Sequence, residues 1–257
     1  MFQKDMLAGR TALVSGGTSG IGLGIAKALA AHGARVAVVG RDLAKAERAA
    51  AEIGSDAMAF SADVRDYAAI DAAITAAAEA LGPLDIVAAA AAGNFLAPAA
   101  GMSANAFKAV VDIDLLGTFN VFRSSHARLQ KPGASLIAIL AGQATRAMPL
   151  QAHACAAKAG VAMLVKCLAL EWGPEGVRVN GLTPGPVEGT EGMARLLPEQ
   201  LKERFLKSLP LGRLEHMDEI VAGALFLAGP ASSYVTGTAI DCEGGTNLAP
   251  FSFDIGG

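Results

Sequence analysis

Residues 11–39 read TALVSGGTSGIGLGIAKALAAHGARVAVV, and the fold is decided in this stretch. Thr11 to Ser15 form a short apolar strand pattern. The glycine-rich GGTSGIG follows, and then a periodic apolar run from Leu23 to His32 stops at Gly33, as a helix does at a residue free to turn left-handed. A second apolar strand runs from Arg35 to Val39. A strand that passes through a glycine loop into a helix and returns as a second strand is a βαβ unit, which pairs its strands in parallel.

Working outward, the alternation continues. Helices are expected around Leu43 to Ile53 and Tyr67 to Leu81, with strands at Ala57 to Phe60 and Asp85 to Ala89. A long helix around Ala104 to Leu129 precedes a strand at Ser135 to Leu140. A helix around Ala154 to Trp172, a strand at Val177 to Leu182, a helix near Asp218 to Leu227 and a strand near Thr238 to Cys242 complete the chain. Strands that are apolar throughout belong in a parallel sheet covered on both faces. The expected class is α/β, a single doubly wound Rossmann domain over residues 1–257, with no linker, charge block or internal repeat to divide it. The least regular stretch, 184–210, where PGPVEGTEG precedes a charged helical run, is expected to act as a substrate lid.

Composition narrows the function classes. A chain of 257 residues, 53% hydrophobic, can bury a full core and is short for two ordinary domains. Its 21 basic against 24 acidic residues leave no cationic excess for nucleic acid or an anionic membrane surface, so neither is expected as a partner. The mean hydropathy of +0.42 owes much to alanine and to 30 glycines, and no uncharged apolar run approaches the roughly 20 residues that span a bilayer. The opening MFQKDMLAGR has no apolar signal-peptide centre. Cys155, Cys167 and Cys242, and His32, His126, His153 and His216, show no metal-ligand spacing. Reduced thiols that serve packing, no metal and a cytoplasmic location are the expectations.

In the glycine loop, Gly16, Gly20 and Gly22 let backbone amides approach a pyrophosphate at the positive end of a helix, with Thr18, Ser19 and Ile21 completing the cradle. Glycine also serves tight turns, and the place between strand and helix is what favours the anion reading. At the end of the second strand, an acid would accept the ribose hydroxyls of NAD. That position is Gly40, and Arg41 follows it, placed to meet the 2'-phosphate of NADP; the plain alternative is a solvated charge. NADPH is the expected cofactor.

The GxxxGxG spacing resembles the short-chain dehydrogenase/reductase family, and further segments match that family in order. Asp63-Val64 resembles the pair beside the adenine, and Leu84-Asp85-Ile86-Val87 leads to Ala92-Gly93 as in its fourth strand. Lys158 opens a helix, Arg178-Val179-Asn180 precedes Pro184-Gly185, and Ser233 to Gly237 leads to Glu243-Gly244-Gly245. Most members of that family use a tyrosine four residues before the lysine as acid or base on a carbonyl, with a serine holding the oxygen. Here Ala154 stands at the tyrosine position and Ala141 at the serine position, Asp114 replaces the usual asparagine, and the only tyrosines are Tyr67 and Tyr234.

These departures resemble one branch, the peroxisomal-type 2,4-dienoyl-CoA reductases. Ala91 to Pro98, Asp112-Ile113-Asp114 before Gly117 to Val121, Leu150-Gln151-Ala152-His153-Ala154 before Ala157-Lys158, Glu171 to Pro174, and Pro184-Gly185-Pro186 before Gly189 to Gly192 carry the likeness. The resemblance implies hydride transfer from NADPH to a 2,4-dienoyl thioester, with Asp114 and Lys158 as the catalytic pair, and Gly93, Pro184 and Gly185 at the cofactor. A conjugated dienoyl thioester spreads its charge into a dienolate after hydride addition, so it needs an oxyanion site and a later proton on carbon, not a tyrosine on a carbonyl. Asn94, Phe95 and Gln143 are candidates for the acyl pocket, each equally explained as loop structure. His153 ranks second as a proton donor, with an ordinary pKa near 6.5, against a cap or packing role.

Two other functions compete: reduction of ketones or 3-oxoacyl thioesters with a non-tyrosine acid, and a silent NADPH-binding protein. The family resemblance implies a homo-oligomer, commonly a tetramer. Arg195, Lys202 and Arg204 are candidates to meet coenzyme A phosphates, with solvated helix charges as the plainer reading. The last residues, Asp254 to Gly257, lack the peroxisomal tripeptide, in keeping with the cytoplasmic expectation.

Overall fold

The computed structural model describes residues 2–54, 56–197 and 199–248. The side chain of Arg195 and the terminal residues Asp254 to Gly257, both used in the reading of the sequence, lie outside what is described. The chain runs β1 (Thr11–Ser15), α1 (Gly20–Ala31), β2 (Arg35–Gly40), α2 (Leu43–Ile53), β3 (Met58–Ser61), α3 (Tyr67–Leu81) and β4 (Ile86–Ala89). It continues with α4 (Ala104–Val111), α5 (Gly117–Ser125), β5 (Ser135–Ile139), α6 (Ala152–Trp172) and β6 (Arg178–Pro184). Then come α7 (Glu191–Leu196), α8 (Glu199–Ser208), α9 (Met217–Ala228) and β7 (Ala239–Cys242).

All strands lie parallel in one seven-stranded sheet of order β3-β2-β1-β4-β5-β6-β7. The order reverses between β1 and β4, where a doubly wound sheet opens a crevice outside the carboxyl ends of its strands. Alternate residues of each strand serve opposite layers. Leu13, Val39, Val87 and Leu136 pack with Phe122 and Trp172 on one face, whereas Ala12, Val14, Val38, Ile86 and Ile137 pack with Ile25 and Leu29 on the other. Burial on both faces is why β1, β4 and β5 read as continuous apolar runs.

Two differences from the sequence expectation matter for the site. The helix expected over Ala104 to Leu129 is broken: a wide π-type turn, Asp112–Leu116, separates α4 from α5, and α5 ends at Ser125. Such single turns recur at functional sites because they re-aim one side chain without ending the helix. The stretch 184–210 holds two helices, α7 and α8, so it is more regular than its composition implies. The helical stretch Ala152–Glu175 is by length and composition apolar enough to cross a bilayer, although Lys158, Lys166, Glu171 and Glu175 interrupt it, so no uncharged run of that length exists there. Its Val161, Val165, Leu168 and Ala169 are buried against the sheet, which is what that apolar composition serves.

Of the cysteines, Cys155 and Cys242 are half-buried and Cys167 is exposed, so the packing role expected of all three does not extend to Cys167. Among the described residues no three metal-ligating side chains gather at one place.

Candidate active site

The glycine loop sits at the crevice. A Cβ at Gly16 would lie 2.5 Å from the Ala91 backbone nitrogen, so only glycine lets the β1 and β4 ends close on each other there. Gly20, at φ +51°, has open space where its Cβ would be, a left-handed position next to an empty approach. Helices α2, α3 and α4 are capped by Asp42, Asp66 and Ser103, but Ser19 makes no capping bond at α1. The α1 amino end, with Thr18, Ser19, Ile21 and the buried Gly22 around it, therefore presents uncapped amides and a clear approach, which fits a dinucleotide pyrophosphate. The Ser15 hydroxyl, one residue before Gly16, is buried without a hydrogen-bond partner among the described residues, and the reading of the sequence overlooked it.

At the β2 end, Arg41 is exposed and its carbonyl accepts from the Ser61 hydroxyl at 3.1 Å. A Cβ at Gly40 would meet Thr18 Cγ2 at 2.5 Å, so the acid-bearing alternative is opposed by sterics as well as by sequence. Asp63 accepts from the Arg65 backbone amide at 3.0 Å and its guanidinium at 2.6 Å; that hydrogen-bonded guanidinium holds the Asp63 carboxyl below its usual range. Val64 is buried, and its carbonyl accepts from Asn120 Nδ2 at 2.8 Å.

The wide turn decides the catalytic side. Asp112 and Asp114 lie two residues apart, yet Asp112 pairs with Lys108 near solvent while Asp114 is 1% exposed. Asp114 Oδ1 accepts from the Gly93 amide at 2.7 Å, and Oδ2 lies 3.2 Å from Lys158 Nζ. Lys158 is buried and donates to the Ile139 carbonyl at 2.8 Å. Of its three N–H groups, one serves Ile139 and one faces Asp114, which leaves a third for a ligand. Ala154, where a tyrosine would stand, is buried against Val110 and Ala157. No hydroxyl takes the tyrosine's place there.

Gln151 is the residue that the sequence reading quoted without assigning a role. Its Oε1 accepts from Asn94 Nδ2 at 2.7 Å and from Gln143 Nε2 at 2.9 Å, so one carboxamide ties two separate loops together. The preceding Leu150 has φ +63°, a strained setting for a branched side chain, and its carbonyl accepts from the Ala97 amide at 2.9 Å. His153 is neither a helix cap nor an ordinary titrating histidine. It is fully buried, neither ring nitrogen has a partner, and the Phe95 ring lies 4.3 Å away, centroid to centroid. Burial pushes its pKa below the ordinary value, while the Asp114 carboxylate and the nearby Phe95 backbone, which falls short of hydrogen-bond geometry, act the other way.

Pro184 ends β6, and the Gly185 amide donates to Glu215 Oε2 at 2.7 Å. Glu215, buried beside Glu243, was not foreseen. Its burial pushes its pKa to about 7, and no local sequence signal marks it.

The family model described as "Enoyl-(Acyl carrier protein) reductase" matches residues 16–247. The peroxisomal 2,4-dienoyl-CoA reductase [(3E)-enoyl-CoA-producing] of Rattus norvegicus is 41% identical, over 96% of this chain and 86% of its own length. A probable 2,4-dienoyl-CoA reductase [(2E)-enoyl-CoA-producing] of Bacillus subtilis is 38% identical, over 95% of this chain and 99% of its own. Among solved structures, a gluconate 5-dehydrogenase of Burkholderia cenocepacia in complex with NADP and tartrate superposes with a TM-score of 0.88 at 31% identity, covering 96% of this chain and 99% of that one. The sheet order, the glycine crevice and the Lys158 helix agree with these matches, and the chain belongs to the short-chain dehydrogenase/reductase family of oxidoreductases.

Proposed function

We propose that the protein is an NADPH-dependent 2,4-dienoyl-CoA reductase that yields the 3-enoyl thioester. One observation carries the reading: the cleft holds a buried Asp114 and Lys158 at 3.2 Å and an apolar Ala154 patch where a carbonyl reductase needs a phenol. Reduction of an isolated carbonyl makes an alkoxide that must be protonated on oxygen at once. A dienoyl thioester instead accepts hydride at C5, the electron pair moves through C4=C3 and C2 to the thioester oxygen, and a proton on C2 completes a 3-enoyl product. A proton on C4 would give the 2-enoyl isomer.

The bound reduced nicotinamide supplies the hydride. Arg41 meets the 2'-phosphate of NADPH, the loop from Gly16 to Gly22 meets its pyrophosphate, and Asp63 and Val64 flank the adenine. Gly93, Pro184 and Gly185 close on the nicotinamide end. Lys158 uses its free N–H to hold the adjacent ribose. Asp114, fixed by the Gly93 amide and the ammonium, passes a proton through water to C2. Asn94, Phe95 and Gln143 border the acyl end, and the segment 184–210 covers it. Phe107, Leu116 and Phe119, exposed on and between α4 and α5, and Met163 and Leu170 on α6, offer the apolar surface of a homotetramer.

Loss of NADPH absorbance with 2,4-hexadienoyl-CoA, compared with acetoacetyl-CoA, a simple ketone and NADH in place of NADPH, tests the proposal. Turnover confined to the dienoyl thioester with NADPH, with 3-hexenoyl-CoA as product, is expected. Turnover of the carbonyl substrates sinks the dienoyl reading, preference for NADH sinks the role of Arg41, and a 2-enoyl product sinks protonation at C2.

A further inference from the structure

The imidazole of His153 is 0% exposed, stands one residue from the vacant tyrosine position, and has no hydrogen-bond partner on Nδ1 or Nε2 among the described residues, the Phe95 backbone acting on it without reaching hydrogen-bond geometry. A neutral imidazole carries one donor and one acceptor, and a buried site that leaves both unpaired stores unused hydrogen-bonding capacity. Such groups in folded proteins call for an explanation, with a functional role prominent among them. Phe95 covers this one. Its ring is tilted 46° against the imidazole and is itself 37% exposed, so the cover has solvent on its far side.

The elements on either side differ in regularity. His153 sits in the first turn of the 21-residue α6, between Gln151 and the core-facing Ala154 and Ala157. Phe95 sits in the stretch 90–98, which has no helix or strand and is pinned near Phe95 by the Asn94–Gln151 bond and by the Ala97–Leu150 bond. The backbone is held on both sides of Phe95, and its ring, packed on the imidazole on one side, is 37% exposed. His153 and Lys158 stand on the same helix, α6, five residues apart, and the Asp114 carboxylate acts on the imidazole electrostatically.

We propose that Phe95 is a shutter over His153, and that an entering acyl thioester displaces the ring so that the imidazole N–H donates to the thioester carbonyl oxygen. His153 is then a catalytic residue that holds the oxygen on which negative charge develops after hydride addition, while the carbon-bound proton comes by the separate Asp114 route. No proton leaves the imidazole in this step. This deepens the dienoyl thioester reading and rests on it for the reaction, though not for the contact.

The contact is read by the infrared carbonyl band of hexanoyl-CoA, a saturated thioester, bound to the protein loaded with NADP+. In the wild type the band moves to lower frequency, His153→Leu abolishes the movement, and His153→Gln, which keeps a donor, restores part of it. An equal shift in His153→Leu, or no shift in the wild type, overturns the proposal. With 2,4-hexadienoyl-CoA, His153→Leu should lower kcat about 100-fold with NADPH affinity unchanged. An unchanged kcat overturns it too. Because Leu removes an unpaired polar group, His153→Leu should melt no lower than the wild type; a lower Tm marks a merely structural role. Diethyl pyrocarbonate should label His153 in Phe95→Ala and spare it in the wild type, and equal labelling overturns the shutter. A wild type that shifts the band yet fails to reduce the dienoyl substrate refutes the reaction assigned above and leaves the contact standing.

Discussion

Asp114 and Glu215 are both buried carboxylates at the carboxyl end of the sheet, and they are held in opposite ways. Asp114 has the Lys158 ammonium at 3.2 Å and the Gly93 amide at 2.7 Å. Glu215 has the Gly185 amide at 2.7 Å, lies near the like-charged Glu219 and Glu243, and is driven to about 7 chiefly by burial, with Arg213 opposing. One side of the cleft is built around a paired charge, the other around a carboxyl that can take a proton near neutrality. Both are buried, and what differs is the partner that balances each charge: an ammonium at Asp114, an amide at Glu215.

The largest expected effect comes from making the first corner resemble the second. Lys158→Met leaves Asp114 buried without its cation, which should abolish turnover and cost on the order of 3–5 kcal/mol of stability, read by urea unfolding. If stability is unchanged, the pair is not the structural feature described here.

Asp114→Asn sharpens the comparison from the other partner. The amide keeps the shape and can still accept from Gly93, so folding should survive. Turnover of 2,4-hexadienoyl-CoA should fall by about 10²–10⁴-fold while NADPH affinity, measured by fluorescence, stays within a few-fold. Retained turnover would remove Asp114 from the proton route.

The smallest effect lies at the second corner. Glu215 binds its proton more tightly folded than unfolded, so between its ordinary value of 4.5 and about 7 the folded state carries more proton than the unfolded one. Its contribution to stability is full below that window and is lost as pH rises through it. Glu215→Gln keeps an acceptor for Gly185 and should flatten the fall in Tm between pH 5 and pH 7.5. A variant with the wild-type slope would show that some other group titrates there.

Much of the fold was legible because its causes are local. The runs Thr11–Ser15 and Ser135–Ile139 are apolar at every position because both faces of each strand are covered, and GGTSGIG between strand and helix has one good structural use. The break at Asp112–Leu116 was not legible. VVDIDLLGTF continues an apolar helical period, and the wider turn sits where distant segments press closely: a Cβ at Gly160 would come within 2.8 Å of Leu115, and one at Gly117 within 2.6 Å of Val64. The site shows the same division. Ala154 and Ala141 announce in sequence that ordinary carbonyl chemistry is missing, whereas Gln151, Glu215 and the Ile139 carbonyl gain roles only from residues 30 or more positions away or on another element, such as the Gln151–Asn94 bond across 57 positions.

By itself, then, the sequence determined the parallel sheet and the glycine loop between strand and helix, because periodicity and glycine placement act over a few neighbours, whereas Asp114 and Lys158 were picked out by the family resemblance. Tertiary structure alone decided which of two nearby aspartates is buried, that His153 lies beneath Phe95, and that Glu215 is held by the Gly185 amide with Arg213 acting on it only electrostatically. Each of these depends on what distant segments bring against the side chain, and both burial and charge are sums over neighbours in space.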